Sequence, residues 1–345
     1  MTSAQQPLVS IITPVYNDAR FIARCIESVL AQSYTNWDYT IVNNCSTDSS
    51  GEIARDYAAK DPRIRVHDNT EFLSALRNHN TAIQQLSPQS KYCKLLFSDD
   101  WLFPNCIADM VGLAELHPSI GVVGAYGLQG SEVLWSGLPY PSSVLSGRDV
   151  CRKFFLDGLY VFGSATSVLY RSDLVRNHDP FYNESNIHSD MESCIALLSE
   201  CDFGFVHQIL TYRRVWTGSM STFTDDLYSL LGGRLYALVT YGPRFLSEEE
   251  YSCCIENYLS EYYNFLAVSF MRLSRSGEFW EFHKKQLHLS GFELDRLRLM
   301  GAAVRRFCRA ILNPNESIEK LGKFRRHEAE RPKSSGGLSH ASEKQ

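Results

Sequence analysis

Residues 98 to 100 read Ser-Asp-Asp and close an apolar run, Leu95-Leu96-Phe97, just before Trp101. Two neighbouring carboxylates at the end of a buried strand stand where ligands gather in open α/β sheets, outside the strand carboxyl ends. Their hard oxygens suit a divalent cation carrying a phosphorylated ligand. Taken alone, the pair has a second explanation: Asp99 or Asp100 caps a helix beginning near Pro104. The order of the segments around the pair favours the first.

Those segments must position the acids. Residues 8 to 15 form a β-branched apolar run, after which Asn17 or Asp18 offers a helix cap. Phe21, Ile22, Cys25, Ile26, Val29 and Leu30 then recur on one helical face. A second short strand at 39–43 leads into the polar turn 44–48, where Asp48 reads as a turn or cap residue. A helix from about 50 to 60, a strand at 64–67, a helix over 73–86 and a strand over 92–97 follow. Alternating strands and helices with short connections predict an α/β fold with a mostly parallel sheet and right-handed crossovers.

Between 120 and 170 the pattern changes to strand-like pieces, 122–126 and 164–170, separated by Gly, Ser and Pro clusters such as 138–143. This is the expected substrate-facing insertion. A helix is predicted over 189–198 and a strand over 203–215. Beyond residue 221 the periodicity becomes helical over 225–241, 247–273, 278–289 and 292–312, with Ser247 and Glu250 spaced as a capping box. The division expected is a tail at 1–6, an α/β domain at 7–221, a helical region at 222–327 and a disordered polar tail at 328–345.

A chain of 345 residues with 44% hydrophobic content can bury one large core plus a helical appendage. Its net charge of -5 gives no global attraction for nucleic acid, so a polyanion must be met locally. The ten cysteines lack the spacing of a zinc site and read as small core residues of a reduced compartment. The start, MTSAQQP, lacks the basic and apolar regions of a signal peptide, and no apolar run approaches the ~20 residues of a membrane span. A cytoplasmic protein is expected.

In their order and spacing, SIITPVYND (10–18), IVNNCSTD (41–48), LRNHNTA (76–82), LLFSDDW (95–101) and HSDMESCIALL (188–198) resemble the successive motifs of family 2 glycosyltransferases. The resemblance covers roughly 7–221. It implies the GT-A fold, a nucleotide-binding α/β sandwich, and inverting transfer of a sugar from a nucleoside diphosphate donor. A divalent cation, Mn²⁺ or Mg²⁺, would stabilise the departing diphosphate.

The resemblance also implies roles for residues. Asp100 is placed on the metal, and Asp99 near the ribose or in the metal shell. By its place in HSDMES, Asp190 matches the general base that takes the proton of the acceptor hydroxyl. Ser189 stands where the family usually has a preceding acid. The alternative is that Asp190 caps its helix, with Glu192 then the functional acid. Thr13, Pro14 and Tyr16 match the segment that holds the nucleoside, against the alternative of an ordinary strand end. Asn44 stands where the family has an aspartate that contacts the base, and its amide can still present a carbonyl oxygen, so a UDP-sugar is favoured while another base is conceivable. Arg77 matches an arginine that approaches the diphosphate, or is a solvated helix residue.

Further on, Arg214 either neutralises diphosphate charge or makes a structural ion pair. Trp216 replaces a frequent histidine; its indole cannot ligate a metal, so it packs on a sugar or in the core. The acceptor expected is a glycan or lipid-linked hydroxyl, with cell-envelope polysaccharide synthesis the role most often implied. Two rival functions fit parts of the pattern. A binding module would hold a nucleotide-sugar without turnover. A sugar-phosphate nucleotidyltransferase would need a glycine-rich basic loop that ITPVYND lacks.

The segment 296–326 holds nine Lys or Arg against Glu316 and Glu319, inside an acidic chain. Leu297, Met300, Val304, Phe307, Cys308 and Ile311 form an apolar helical stripe there. Such a helix could rest peripherally on an anionic membrane, or pack on its own domain with a solvated basic face. Oligomer contacts through Tyr258, Tyr262, Tyr263 and Phe265 are a third possibility.

Overall fold

A computed structural model of the chain describes residues 6–214, 227–271 and 275–312. The chain divides into two compact units, one of Met1–Val215 with Ser229–Ile255, the other of Trp216–Tyr228 with Glu256–Gln345. Trp216 and the tail at 328–345 lie outside the described residues.

The first unit is built on a ten-stranded sheet. Its strands are β1 Val9–Val15, β2 Trp37–Asn43, β3 Ile64–Asp68, β4 Tyr92–Leu95, β5 Trp101–Leu102, β6 Ile120–Gln129, β7 Glu132–Leu134, β8 Val144–Leu145, β9 Leu169–Arg171 and β10 Asp202–Tyr212. The main order is β3-β2-β1-β4-β9-β6-β10-β5. β1 pairs in parallel with β2 and β4, β2 with β3, and β6 with β10. The short β9 is antiparallel to both β4 and β6, so all the long strands run the same way and end on one edge. That is the mostly parallel α/β sheet expected.

Both faces of the sheet are covered, which explains the unbroken apolar strands. Side chains alternate across the pleat: Val9, Ile11 and Val15 enter one core and Ile12 the other. The helix α1 Ile22–Leu30 buries Ile22, Cys25, Ile26 and Val29, the face its periodicity predicted. Burying each such side chain contributes about 1.5–3 kcal/mol. Next come α2 Ser50–Ala58, α3 Ala75–Ile83, α4 Cys106–Leu116, α5 Gly147–Asp157, α6 Ser172–Arg176 and α7 Ser189–Leu197.

Three expectations need correcting. α4 starts at Cys106 with Asn105 before it, so neither Asp99 nor Asp100 is its cap. Asn17 and Asp18 do not cap α1 through their side chains either. The stretch 120–170 holds an unpredicted helix, α5, whose Ser146 hydroxyl accepts the Asp149 amide at 3.0 Å while Val150, Cys151 and Phe154 turn inward.

The remaining helices are α8 Ser229–Phe245, α9 Glu248–Met271, α10 Gly277–Leu289 and α11 Arg296–Leu312. The capping box at the start of α9 is formed in both directions. Ser247 donates its amide to Glu250 at 3.1 Å, and Glu250 donates its amide to the Ser247 hydroxyl at 3.2 Å. In the second unit, His283 is buried between Tyr262 and the Leu227 carbonyl, at 2.7 and 3.0 Å. A carbonyl only accepts, so Nε2 carries the proton and Nδ1 accepts the Tyr262 hydroxyl. All ten cysteines are free. No helix among the described residues is long and apolar enough to cross a membrane.

Candidate active site

The carboxyl edge of the sheet brings together four strand ends: Tyr16 to Asp18 after β1, Asn44 after β2, Phe97 to Asp100 after β4, and Arg213 and Arg214 after β10. β5 fixes their register. Its residues Trp101 and Leu102 pair antiparallel with Tyr212 and Thr211, so the acid pair is tied to the end of β10. The Trp101 ring stacks on Tyr212 at 3.7 Å and carries the Arg24 guanidinium at 3.4 Å.

Asp100 is buried. Its Oδ1 accepts the Arg214 amide at 2.8 Å and its Oδ2 accepts the Thr166 hydroxyl at 2.7 Å. Burial holds its carboxyl well above the usual range, the charge of Asp99 pushes the same way, and Thr166, the Arg214 amide and Arg213 pull it back. Lys94 on β4 is fully buried and donates to the Val168 carbonyl at 3.1 Å. Its ammonium is disfavoured by burial and favoured by the nearby charges of Cys106 and Asp100.

Asp18 completes the acidic edge. It accepts the Ser98 hydroxyl, and its carboxyl is raised by burial and by Asp99 and Asp48. Asp48 instead takes the Ala19 and Ser50 amides at 3.0 and 2.9 Å, a turn role as expected. Among the described residues no three His, Cys, Asp or Glu form a complete metal cage. A cation held by one or two carboxylates and completed by substrate phosphates needs none.

Asp190 opens α7 and accepts the Met191 amide at 2.8 Å. Burial raises its carboxyl, while His188, the Met191 amide and Arg213 lower it. Arg213, whose guanidinium donates to the Gln129 side chain at 3.4 Å, favours the ionised form of both Asp100 and Asp190. His188 is itself held at 2.8 Å from the Ser229 hydroxyl, beside Gly233, where a Cβ would come within 2.5 Å of the imidazole. Glu192, the alternative acid, is buried and already accepts from Asn183, Asn186 and Tyr241 at 3.2, 2.8 and 3.0 Å.

The other predicted residues separate. Thr13 is fully buried, and its hydroxyl accepts the Tyr39 phenol at 2.8 Å on the α1 side of the sheet. Pro14 is buried beside it. Tyr16 is 46% exposed and meets Phe72, 60% exposed, with ring centroids 4.7 Å apart. Asn44 is buried with its amide folded onto the chain: it donates to the Leu73 carbonyl at 2.8 Å and accepts the Leu73 and Asn69 N–H groups, both at 2.9 Å. Arg77 pairs with Glu184 at 3.7 Å on the surface. Arg214 donates to the Asp99 carbonyl at 3.2 Å and lies over the Phe21 ring at 4.4 Å.

Residues 10–178 match the profile of Glycosyl transferase family 2. The putative glycosyltransferase EpsE of Bacillus subtilis is 33% identical over 155 residues, covering 42% of this chain and 54% of EpsE. The chain spans only 13 to 54% of the lengths of the first curated relatives it matches. Among solved structures, S. aureus TarS 1–349 in complex with UDP-GlcNAc superposes with a TM-score of 0.62 at 15% identity, over 90% of this chain and 92% of that one. The mannosyltransferase PcManGT of Pyrobaculum calidifontis, in complex with GDP-Man and Mn²⁺, gives a TM-score of 0.54 at 14% identity, over 88% of each chain. The fold is GT-A, with the sheet edge described above as its candidate active site.

Proposed function

We propose that the protein is an inverting glycosyltransferase that moves a sugar from a nucleoside diphosphate donor, with a UDP-sugar favoured, to a hydroxyl of a glycan or lipid-linked acceptor. The observation that carries this reading is the buried Asp100 at the carboxyl edge of the sheet, whose two oxygens accept the Thr166 hydroxyl at 2.7 Å and the Arg214 amide at 2.8 Å.

The hard, crowded carboxylates of Asp99 and Asp100 fit a divalent cation, which when bound supplies Lewis-acid stabilisation to the departing diphosphate. Thr166 and the Arg214 amide orient Asp100 for that task. Asp190 accepts the proton of the acceptor hydroxyl as the new glycosidic bond forms. Burial keeps its proton affinity high, which suits a base. Tyr16 and Phe72 present aromatic surface to the nucleobase at the end of β1. PcManGT with GDP-Man and Mn²⁺, and TarS with UDP-GlcNAc, are similar folds with such donors bound. Cell-envelope polysaccharide synthesis in the cytoplasm, with peripheral contact to a membrane bearing the acceptor, is the setting this reading favours.

The test is a panel of nucleotide-sugars with and without Mn²⁺, scored for binding and for slow donor hydrolysis. Asp100→Ala should abolish metal-dependent binding. Asp190→Asn should leave donor binding intact and lower transfer by about 10²-fold or more. Transfer by Asp190→Asn at the parent rate would remove Asp190 from the base role. Donor binding without any turnover by the parent protein would instead favour a binding module.

A further inference from the structure

Helix α11 carries two apolar faces. Leu299, Ala302 and Ala303 are buried. Leu297, Met300, Val304, Phe307 and Ile311 are exposed, from 50% for Met300 to 85% for Leu297. Their spacing alternates between three and four residues, which stacks them in one stripe along the helix. At about 100° per residue, Arg296 borders one side of the stripe and Arg298 and Arg305 the other. Arg298 is paired with Glu256 at 3.0 Å, whereas the helix itself contains no Asp or Glu.

We propose that this stripe docks on the surface of an anionic lipid bilayer. The charge pattern selects that occupant. A second copy of the helix would bring arginines against arginines, with no carboxylate in either helix to neutralise them. An anionic bilayer neutralises the arginines while its headgroup boundary accepts the apolar side chains. The sequence past the helix carries the same sign, with Lys320, Lys323, Arg325 and Arg326 against Glu316 and Glu319 in a chain whose net charge is -5. With Leu299, Ala302 and Ala303 buried on the other face and Arg298 paired with Glu256, docking needs no unfolding of α11.

The experiment is sedimentation of the full chain with vesicles of phosphatidylcholine alone and of phosphatidylcholine with phosphatidylglycerol, across a salt series. Partitioning should be about tenfold or more stronger on the anionic vesicles and should weaken as salt rises. Phe307→Ser should reduce partitioning on both vesicles by about fivefold to tenfold, with an unchanged circular dichroism spectrum. Arg305→Glu should reduce only the preference for anionic lipid. Equal, salt-independent partitioning overturns the proposal. So does a dimer in light scattering that Phe307→Ser dissociates without any vesicle binding, since a second copy would then cover the stripe. Absence of both binding and self-association, with slow hydrogen exchange across 297–311, also overturns it and assigns the stripe to another part of the chain. None of these readouts depends on sugar transfer, so failure here leaves the glycosyltransferase reading standing.

Discussion

Thr166 links two parts of the site through one hydroxyl: it donates to Oδ2 of Asp100 at 2.7 Å and accepts the Phe97 amide at 3.2 Å. The loop before β9 therefore sets the rotamer of Asp100 and the path of the chain leading into it. Thr166→Val keeps the shape and strands both partners. A loss of about 1–3 kcal/mol in urea unfolding is expected, together with weaker Mn²⁺-dependent nucleotide binding. Thr166→Ser should restore most of both. An undiminished metal dependence in the valine variant would show that Asp100 does not need this support.

Arg213 favours the ionised form of both Asp100 and Asp190. Removing its charge in Arg213→Gln raises both carboxyls. A base must be ionised to act, so the acid limb of the transfer rate should move to higher pH, which a kcat/KM profile would record. A limb that stays in place while overall binding weakens would restrict Arg213 to the donor side.

Asn44 uses its amide to clip the Leu73 peptide and so holds the loop that carries Phe72. Asn44→Ala should cost about 1–3 kcal/mol, because a buried N–H and C=O lose their partners. Phe72→Ala sits on the surface and should leave stability within about 0.5 kcal/mol. Its nucleotide dissociation constant should rise about threefold to tenfold, the range of one aromatic contact. Calorimetry with UDP and GDP measures both effects, and unaltered affinity in Phe72→Ala would detach the Tyr16–Phe72 pair from the base.

His283 is held neutral, its imidazole pushed down to about 4 by burial. The unfolded chain takes up a proton near pH 6.5, whereas the folded chain resists it until about 4. The contribution to stability is therefore complete above pH 6.5 and is lost as pH falls toward 4, at up to about 1.4 kcal/mol per pH unit. Urea unfolding at a series of pH values should show that slope, and His283→Gln should flatten it. An identical slope in the variant would assign the acid sensitivity to other groups.

Much of this architecture was legible because it rests on local periodicity. The α1 face, the four C-terminal helices and the Ser247–Glu250 cap follow from residues three or four apart, and the sheet from apolar runs buried on both faces. α5 was missed, because the Gly, Ser and Pro clusters around it point to loops, although the Ser146 cap and the Val150, Cys151 and Phe154 spacing carry a helical signal. The site was harder. Thr166 meets Asp100 across 66 residues, a contact with no local signature. Arg213 and Arg214 look alike in sequence, yet after β10 the first donates to Gln129 while the second bonds Asp100 through its amide and the Asp99 carbonyl through its guanidinium. Asn44 and Thr13 show the reverse: each has the residue type of a ligand contact, yet their polar atoms are spent inside the protein.

The two-residue ladder of β5 on β10, locked by Trp101 against Tyr212, makes the acid pair and the Arg213–Arg214 turn a single mechanical part. A chimera that borrows 98–102 from a relative without also borrowing 211–214 would mismatch that joint. Grafts meant to retune this protein should exchange both stretches as one cassette.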